Sequence, residues 1–309
     1  MGSEMCIRDS RYGQHNKKET QAYKLGKILG ERSHHLLLLT ATPHKGDPDN
    51  FQLFLQLLDK DLLATPDILR EATENQENPI FLRRLKEDMF TFDGEECFPP
   101  RTVKTQKYRI SGKELELYEA VRQYFEEHYK RAEAQKKRSV GFALTVLQRR
   151  LASSLAAITR SLERREEKLK KLLREHEQMG RTIIEQEEIE FDEEELEDAE
   201  DVERARLEDR AASMTTAQNI DELKIELEAL RKLVKQAQEA ESLKKEKKWE
   251  ELARVMHQLN LKQSDDKLLI FTEHKDTLYM LVDRIRNMGF SVTQIHGGMK
   301  IDDRITAEK

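Results

Sequence analysis

Hydrophobic residues recur at helical spacing in several stretches of the chain. The first clear case follows Asp47 and Pro48, two residues that favour a helix start. Its apolar positions are Phe51, Phe54, Leu55 and Leu58. They stand at i, i+3, i+4 and i+7, the spacing that places side chains on one face of a helix. The pattern predicts an amphipathic helix from about residue 47.

Three longer stretches carry the same period. A helix is predicted from Ser111, whose distance from Glu114 is that of a capping box, and another over residues 141–176. In residues 220–237 the apolar steps alternate between three and four, which is coiled-coil spacing over a length too short for a free-standing coil. The last two helices, joined by an acidic segment, are predicted to form a helical hairpin or arm.

Short apolar runs bounded by turn residues predict buried strands. They are Leu36–Leu39, Lys267–Glu273 and Ser291–Ile295. A predicted amphipathic helix separates the last two runs, so together they would form a βαβ unit. Alternation of helices and strands is typical of parallel layers. The fold class expected from the pattern is therefore α/β with a large all-α insertion.

Composition limits how much of the chain can form a compact core. Of the 309 residues, 37% are charged and 6% are aromatic, and the mean hydropathy is −0.80. A chain this polar builds cores over part of its length only. No apolar run approaches the length of a membrane span, so no membrane partner is expected. Cys6 and Cys97 lack metal-ligand or redox spacing, which fits a reducing compartment and predicts a cytoplasmic protein.

Negative charge is concentrated in residues 185–203, which hold thirteen carboxylates and no lysine or arginine. Removing those thirteen charges from a net charge of −6 leaves +7, which is compatible with contacts to nucleic-acid phosphates. We interpret the run as a solvated linker, with autoinhibitory mimicry of DNA as the alternative. Several arginines either track a DNA backbone or, the interpretation we favour, form a solvated helix face: Arg149, Arg150, Arg160, Arg164 and Arg165.

Two short motifs supply the candidate functional residues. The first follows the first predicted strand and consists of Thr40, Ala41, Thr42 and Pro43. Ligands of doubly wound sheets bind beyond the carboxyl ends of the strands, where hydroxyls can meet a phosphate or a water, although the motif could simply end a strand. The second motif consists of His296, Gly297 and Gly298. Backbone without side chains can approach a nucleic-acid phosphate there, or it can form an ordinary tight turn.

Five segments, in order, resemble the Swi/Snf family of helicase-like, DNA-translocating ATPases within helicase superfamily two. LLLLTATPHKGDPDNFQLFLQLLD is similar to the family's third motif and the helix after it, and PIFLRRLKEDM to its basic helix. FPPRTVKTQKYRISGKELELYEAV resembles the junction that follows, KLLIFTEHKDTLYML the fourth motif, and QIHGGMKIDDR the loop and helix beyond. The bacterial members nearest in character are RapA-like proteins and the helicase-like component of DISARM phage-defence systems.

The resemblance implies a role for each motif. Residues 40–43 would lie between two RecA-like lobes and couple the nucleotide state of one lobe to lobe closure and DNA grip. Residues 296–298 would contact nucleic-acid phosphate, and Arg304 would support their loop. The implied architecture is a partial RecA-like lobe one, a long helical hairpin or arm, and the start of a RecA-like lobe two.

The sequence lacks several motifs of that family. It has no phosphate-cradling loop of the Walker A type, no Asp-Glu-Ala-His box and no arginine-finger motif. ATP and Mg²⁺ are therefore expected cofactors of a longer parent enzyme. This chain is expected to be an internal fragment that binds no cofactor or metal stably and hydrolyses no ATP by itself. The implied partners are double-stranded DNA and RNA polymerase or phage-defence components.

These interpretations divide the chain into four regions. Residues 1–10 match no pattern and are expected to be an artefactual or disordered tail. Residues 11–110 would be the C-terminal part of lobe one, 111–262 the helical insertion with its acidic segment, and 263–309 the N-terminal part of lobe two. Two other functions stay open. One is a non-catalytic helical or coiled-coil module that binds a protein partner, and the other is a processive RNA or DNA helicase of the same superfamily.

Overall fold

The computed structural model describes residues 21–40, 48–59, 82, 85–187, 189, 201–263 and 266–308. The chain divides into two compact units. One unit consists of Met1–Lys104 with Asp192–Asp198, and the other of Thr105–Phe191 with Ala199–Lys309. The tail at residues 1–10 lies outside the described residues, as does most of the acidic run.

The first unit contains two short helices, α1 (Gln21–Arg32) and α2 (Pro48–Gln56). A small apolar cluster includes Tyr23, Leu53 and Leu57, with Leu38 and Phe54 partly buried against it. The helix predicted from about residue 47 is therefore confirmed. In the basic segment further along, the described residues form only a single 3₁₀ turn, Lys86–Asp88.

The second unit is helical throughout its described core. Its helices are α3 (Lys113–Ala134), α4 (Arg138–Ser153), α5 (Leu155–Gln178), α6 (Asp201–Ala211), α7 (Ile220–Ser242), α8 (Lys247–Gln258), α9 (Lys275–Asn287) and α10 (Ile301–Glu308). We call α3 to α7 the helical bundle. α5 and α7 pack along each other, α3 packs on α4 and α7, α4 packs on α5 and α6, and α9 packs on α5. None of the described helices is long and apolar enough to cross a membrane.

The apolar stripe of α7 lies in the core of the bundle. Its buried members are Leu223, Leu227, Leu230, Val234 and Ala237. They belong to one cluster with the buried apolar side chains of α5, which are Leu155, Ile158, Leu162 and Leu169. The cluster also takes in side chains of α3 and α4. The two long helices pack along each other, as in a hairpin, but they do not form a separate arm, because α3 and α4 share their core.

Two details of the predicted helices are wrong for local reasons. Residues 141–176 are not one helix, because the backbone at Ser154 is extended (φ −162°, ψ 161°). Its hydroxyl accepts a hydrogen bond from the N–H of Ala157 at 3.1 Å and so caps α5. α3 has Gly112 at its N-cap, without a side-chain cap. The predicted capping carboxylate, Glu114, instead accepts the backbone N–H of Lys247 at 3.1 Å.

The expected α/β fold is wrong. Over the described residues the structure has helices and isolated bridges but no strand and no sheet. The three apolar runs predicted as strands are irregular there, and Leu37, Leu39 and Phe271 are 80%, 79% and 86% exposed. A strand persists only where a neighbour takes up its backbone hydrogen bonds, and no described segment forms a ladder with these runs. RecA-like lobes are built on a sheet, so the partial lobes implied by the resemblance are contradicted too.

Candidate nucleic-acid interface

The loop before α10 is closed by hydrogen bonds of its own residues. The N–H of Gly298 donates to Nδ1 of His296 at 3.2 Å, and the N–H of Met299 donates to the carbonyl of His296 at 3.1 Å. Because Nδ1 accepts, the proton of the neutral imidazole lies on Nε2. That nitrogen lies 3.5 Å from the hydroxyl of Tyr279, whose ring meets the imidazole edge-on. The loop therefore has a defined shape, anchored on α9.

Arg304 holds this loop to α10. Its guanidinium donates from Nη2 to the carbonyl of Gly297 at 2.9 Å. The roles implied for Arg304 and for a nucleic-acid contact by His296, Gly297 and Gly298 stay predictions.

Lys275, at the start of α9, was not found from the sequence. A Cβ added to Gly298 would lie 3.2 Å from Nζ of Lys275, so the ammonium sits over the glycine backbone. The two residues are far apart in sequence, and no local spacing relates them. A lysine ammonium is a point charge suited to a phosphate oxygen. The first turn of α10 carries Asp302 and Asp303, so the candidate site is Lys275 and the loop rather than the helix terminus.

The other candidate motif is described only at its first residue. Thr40 is exposed, while Ala41, Thr42 and Pro43 lie outside the described residues. Thr40 belongs to the first compact unit and residues 296–298 belong to the second. The proposed coupling role of this motif stays a prediction.

The arginines expected to track DNA or to face solvent are ion-paired within the chain. Arg150 contacts Glu208 at 2.6 Å and Asp276 at 2.9 Å, and Arg164 contacts Asp276 at 2.9 Å. Arg149 pairs with Glu273, Arg160 with Glu163 and Glu241, and Arg165 with Glu226. The interpretation as a solvated helix face is wrong for Arg165, because its side chain is buried. Each of the five arginines has a carboxylate partner within the chain, so none is an unpaired cation for a DNA backbone.

Arg165 lies in a buried polar centre that joins three helices of the bundle. Its Nη2 donates to Oε1 of Glu226 on α7 at 2.9 Å, and its Nε donates to the hydroxyl of Tyr124 on α3 at 3.0 Å. The Tyr124 hydroxyl donates in turn to Oε1 of Glu226 at 2.8 Å. The hydroxyl of Thr215 donates to the other carboxylate oxygen. Every charge in this centre has a partner, as buried charges require.

Burial and charge set the protonation states of this centre. Burial alone would raise the pKa of Glu226. The positive charge of Arg165 and the hydrogen bonds from Thr215 and Tyr124 act together against burial and hold that pKa below its usual range. Burial raises the pKa of Tyr124, so the phenol stays neutral. Burial lowers the pKa of His128, whose ring lies 4.3 Å from that of Tyr124. The centre is thus an ionised pair surrounded by neutral groups.

A groove of about 760 Å³ runs between α3 and α7 above this centre. We call it the α3–α7 groove. Its lining includes Gln123, Glu127, Arg131, Ile225, Glu228 and Lys232. The buried His128 and Thr216 also line it, 3.3 Å apart between Nδ1 and the hydroxyl. Its charges are of both signs, which favours neither a nucleic acid nor a single small anion.

His128 predicts a loss of stability in mild acid. Because its pKa in the folded protein lies below the ordinary value of 6.5, the unfolded chain takes up the proton first as the pH falls. Stability is therefore full above about pH 6.5 and declines below it, by at most about 1.4 kcal/mol per pH unit for one histidine. Glu226 also lowers stability in acid, because its pKa is lower in the folded protein than in the unfolded chain. This loss begins only below about pH 4.5, the ordinary pKa of a glutamate.

The measurement is the unfolding free energy from urea titrations at several values between about pH 7.5 and 5. The His128→Gln variant is expected to show a shallower decline than the wild type, and the same change at the exposed His257 is the matched control. Equal slopes for wild type and His128→Gln would show that His128 does not titrate differently on unfolding. His274 contributes in the same direction, since burial lowers its pKa as well.

Among the described residues, no group of three or more histidine, cysteine or carboxylate side chains is placed to hold a metal ion. The candidate nucleic-acid interface consists of the loop at 296–298, Arg304, which donates to it, and Lys275, which overlies it. No protein-family model matches the chain, and no curated protein and no solved structure was found to match it.

Proposed function

We propose that the chain is part of an ATP-driven, double-stranded-DNA translocase of the Swi/Snf type and contributes a DNA-contacting loop carried beside a helical bundle. The order of the five resembling segments supports the family. The observation that carries the DNA contact is the loop at 296–298, which Arg304 supports and Lys275 overlies. ATP and Mg²⁺ would be bound by other parts of such an enzyme. The proposed setting is the cytoplasm, where the exposed thiol of Cys97 would stay reduced.

The proposed contact is electrostatic and independent of base sequence. A phosphate oxygen would meet the Lys275 ammonium, which lies over the backbone of Gly298. The N–H of Gly298 is already bonded to His296, so the imidazole must turn before that N–H can donate to a phosphate. Contacts of this kind fix the position of a protein on DNA and carry no sequence information.

Duplex binding should be weak and sensitive to salt. We expect a dissociation constant on the order of 10⁻⁵ M at physiological ionic strength, as for other non-specific contacts. Lys275→Gln should lower the affinity and reduce the slope of log K against log salt by about one. Fluorescence anisotropy of a labelled short duplex over a salt series measures both quantities.

The matched control is Lys130→Gln, which removes the same charge from an exposed position on α3. It should leave the salt slope unchanged. Gly298→Ala adds a methyl group 3.2 Å from Lys275 Nζ and should weaken binding without altering the circular dichroism spectrum. Identical salt slopes for wild type, Lys275→Gln and Lys130→Gln would refute the loop as the DNA contact.

A protein-binding module is the second candidate, and the α3–α7 groove is the observation that favours it. Ile225 on the groove wall is 68% exposed, between side chains of both charges. Mixed charge around an exposed apolar residue is typical of protein contacts. On this alternative, Ile225→Glu would abolish binding of a partner protein while Lys275→Gln would not. The remaining alternative is an RNA or DNA helicase. Displacement of the labelled duplex by single-stranded RNA in the anisotropy assay would favour that alternative.

A further inference from the structure

α9 meets the helical bundle through charged side chains at its first turn. Asp276 accepts hydrogen bonds from Nη1 of Arg150 and from Nη2 of Arg164, each at 2.9 Å. Glu273, just before the helix, pairs with Arg149. Arg150 also pairs with Glu208 on α6 at 2.6 Å. The start of α9 is thus bound to α4 and α5 by ion pairs.

Further charges face the same cluster. Arg204 on α6 lies 3.9 Å from Glu273, and His274 lies at the same distance from that carboxylate. The cluster therefore holds four arginines against the carboxylates of Glu208, Glu273 and Asp276. Positive charges outnumber negative ones in this cluster. Removing the carboxylate of Glu273 or Asp276 therefore leaves arginines facing one another without a counter-charge.

Hydroxyl groups complete the contact. The Thr277 hydroxyl lies 2.7 Å from the hydroxyls of both Ser153 and Ser154, at the break between α4 and α5. Near the other end of α9, Nη1 of Arg284 lies 3.4 Å from Glu246. Its guanidinium carbon also lies 5.4 Å from the ring centre of Trp249, which is cation–π geometry.

The junction of α9 lies outside the described core cluster of the bundle. Val282 and Ile285 of α9 are buried, yet the described core cluster of the bundle includes no side chain of α9. Ion pairs that are partly exposed weaken as salt screens them, whereas apolar contacts do not. Arg149, Arg164 and Glu273 have side chains 47%, 46% and 41% exposed, whereas those of Arg150 and Asp276 are 13% and 24% exposed. Salt should therefore weaken the outer pairs of this junction most, and it should leave the apolar core of the bundle unaffected.

We propose that Glu273, Asp276 and Thr277 form an electrostatic latch. When it is closed, the latch holds α9, and with it the loop at 296–298, against the helical bundle. When its carboxylate–arginine pairs are screened or removed, α9 separates and the loop is free to change its orientation. The latch thus regulates the site of the proposed function. Only this consequence rests on the proposed function, because the opening of the latch is measurable without DNA.

Hydrogen exchange followed by mass spectrometry tests the latch on the wild-type chain. On raising sodium chloride from about 0.05 M to about 1 M, amides of residues 275–287 should exchange about tenfold faster or more. Amides of α7 should keep their rates, because the apolar core is not weakened by this salt. The variant Glu273→Gln/Asp276→Asn should exchange fast in 275–287 at low salt and show little further dependence on salt.

Glu126→Gln is the matched control, because it removes a carboxylate from an exposed pair with Arg122 on α3. It should behave as the wild type does. Exchange in 275–287 that does not respond to salt in the wild type would overturn the proposal, and so would acceleration of α7 in parallel with α9. Neither result depends on DNA, so a failure of the latch is distinguishable from a failure of DNA binding.

Discussion

Replacing Arg165 with methionine is expected to destabilise the helical bundle by about 3–5 kcal/mol, because Glu226 would remain buried without its counter-charge. The carboxylate would keep the hydroxyl donors of Tyr124 and Thr215 but lose the guanidinium. Urea unfolding, followed by circular dichroism and by the fluorescence of Trp249, the single tryptophan, gives the free energy.

Two further variants test the reason for this loss. Arg165→Met/Glu226→Gln leaves neither member of the buried ion pair charged, so it should be more stable than Arg165→Met alone by about 1–3 kcal/mol. Arg160→Met removes an arginine of the same helix from partly exposed pairs with Glu163 and Glu241 and should change stability by less than about 1 kcal/mol. A double variant less stable than Arg165→Met would contradict the account of the polar centre.

Leu227→Ala should be the second most damaging substitution, costing about 2–5 kcal/mol. Leu227 is 1% exposed on α7 and lies in the core cluster, so truncation leaves a cavity. Ile225, two residues earlier on the same helix, is 68% exposed and provides the matched control. Ile225→Ala should stay within about 0.5 kcal/mol of the wild type. Equal losses at the two positions would mean that α7 is not oriented as described.

Helices of this chain could be predicted because their signal is local. The apolar spacing of α7 identifies its buried face without knowledge of what covers it. The break at Ser154 had a signal as well, since a serine before Leu-Ala-Ala is a good N-cap, but the continuous apolar period hid it. The carboxylate of Glu114 could not be placed, because the N–H that it accepts belongs to Lys247.

Strands were predicted wrongly because their stability is not local. An apolar run such as Leu36–Leu39 has the composition of a buried strand, but only Leu38 packs into the small cluster of the first unit. Whether such a run pairs depends on a partner segment that composition does not identify. Lys267–Glu273 was predicted as a strand from composition for the same reason, and Leu269 within it is 76% exposed.

The candidate site was predicted in part. The loop at 296–298 and its arginine stand close together in sequence, so their association could be inferred. Lys275 reaches the loop only because α9 and the following segment fold back, and no sequence spacing indicates it. The latch was missed for the same reason, since Asp276 lies more than a hundred residues from the arginines that it binds.

Hydrogen exchange of the chain with and without duplex DNA tests the central claim most directly, because it locates the contact. At DNA concentrations that saturate the anisotropy signal, we expect slower exchange at residues 296–304, which are the loop and the first turn of α10, and at the start of α9. Rates along the α3–α7 groove should be unchanged. Protection confined to the groove, or saturating binding that leaves 296–304 unprotected, would contradict the account.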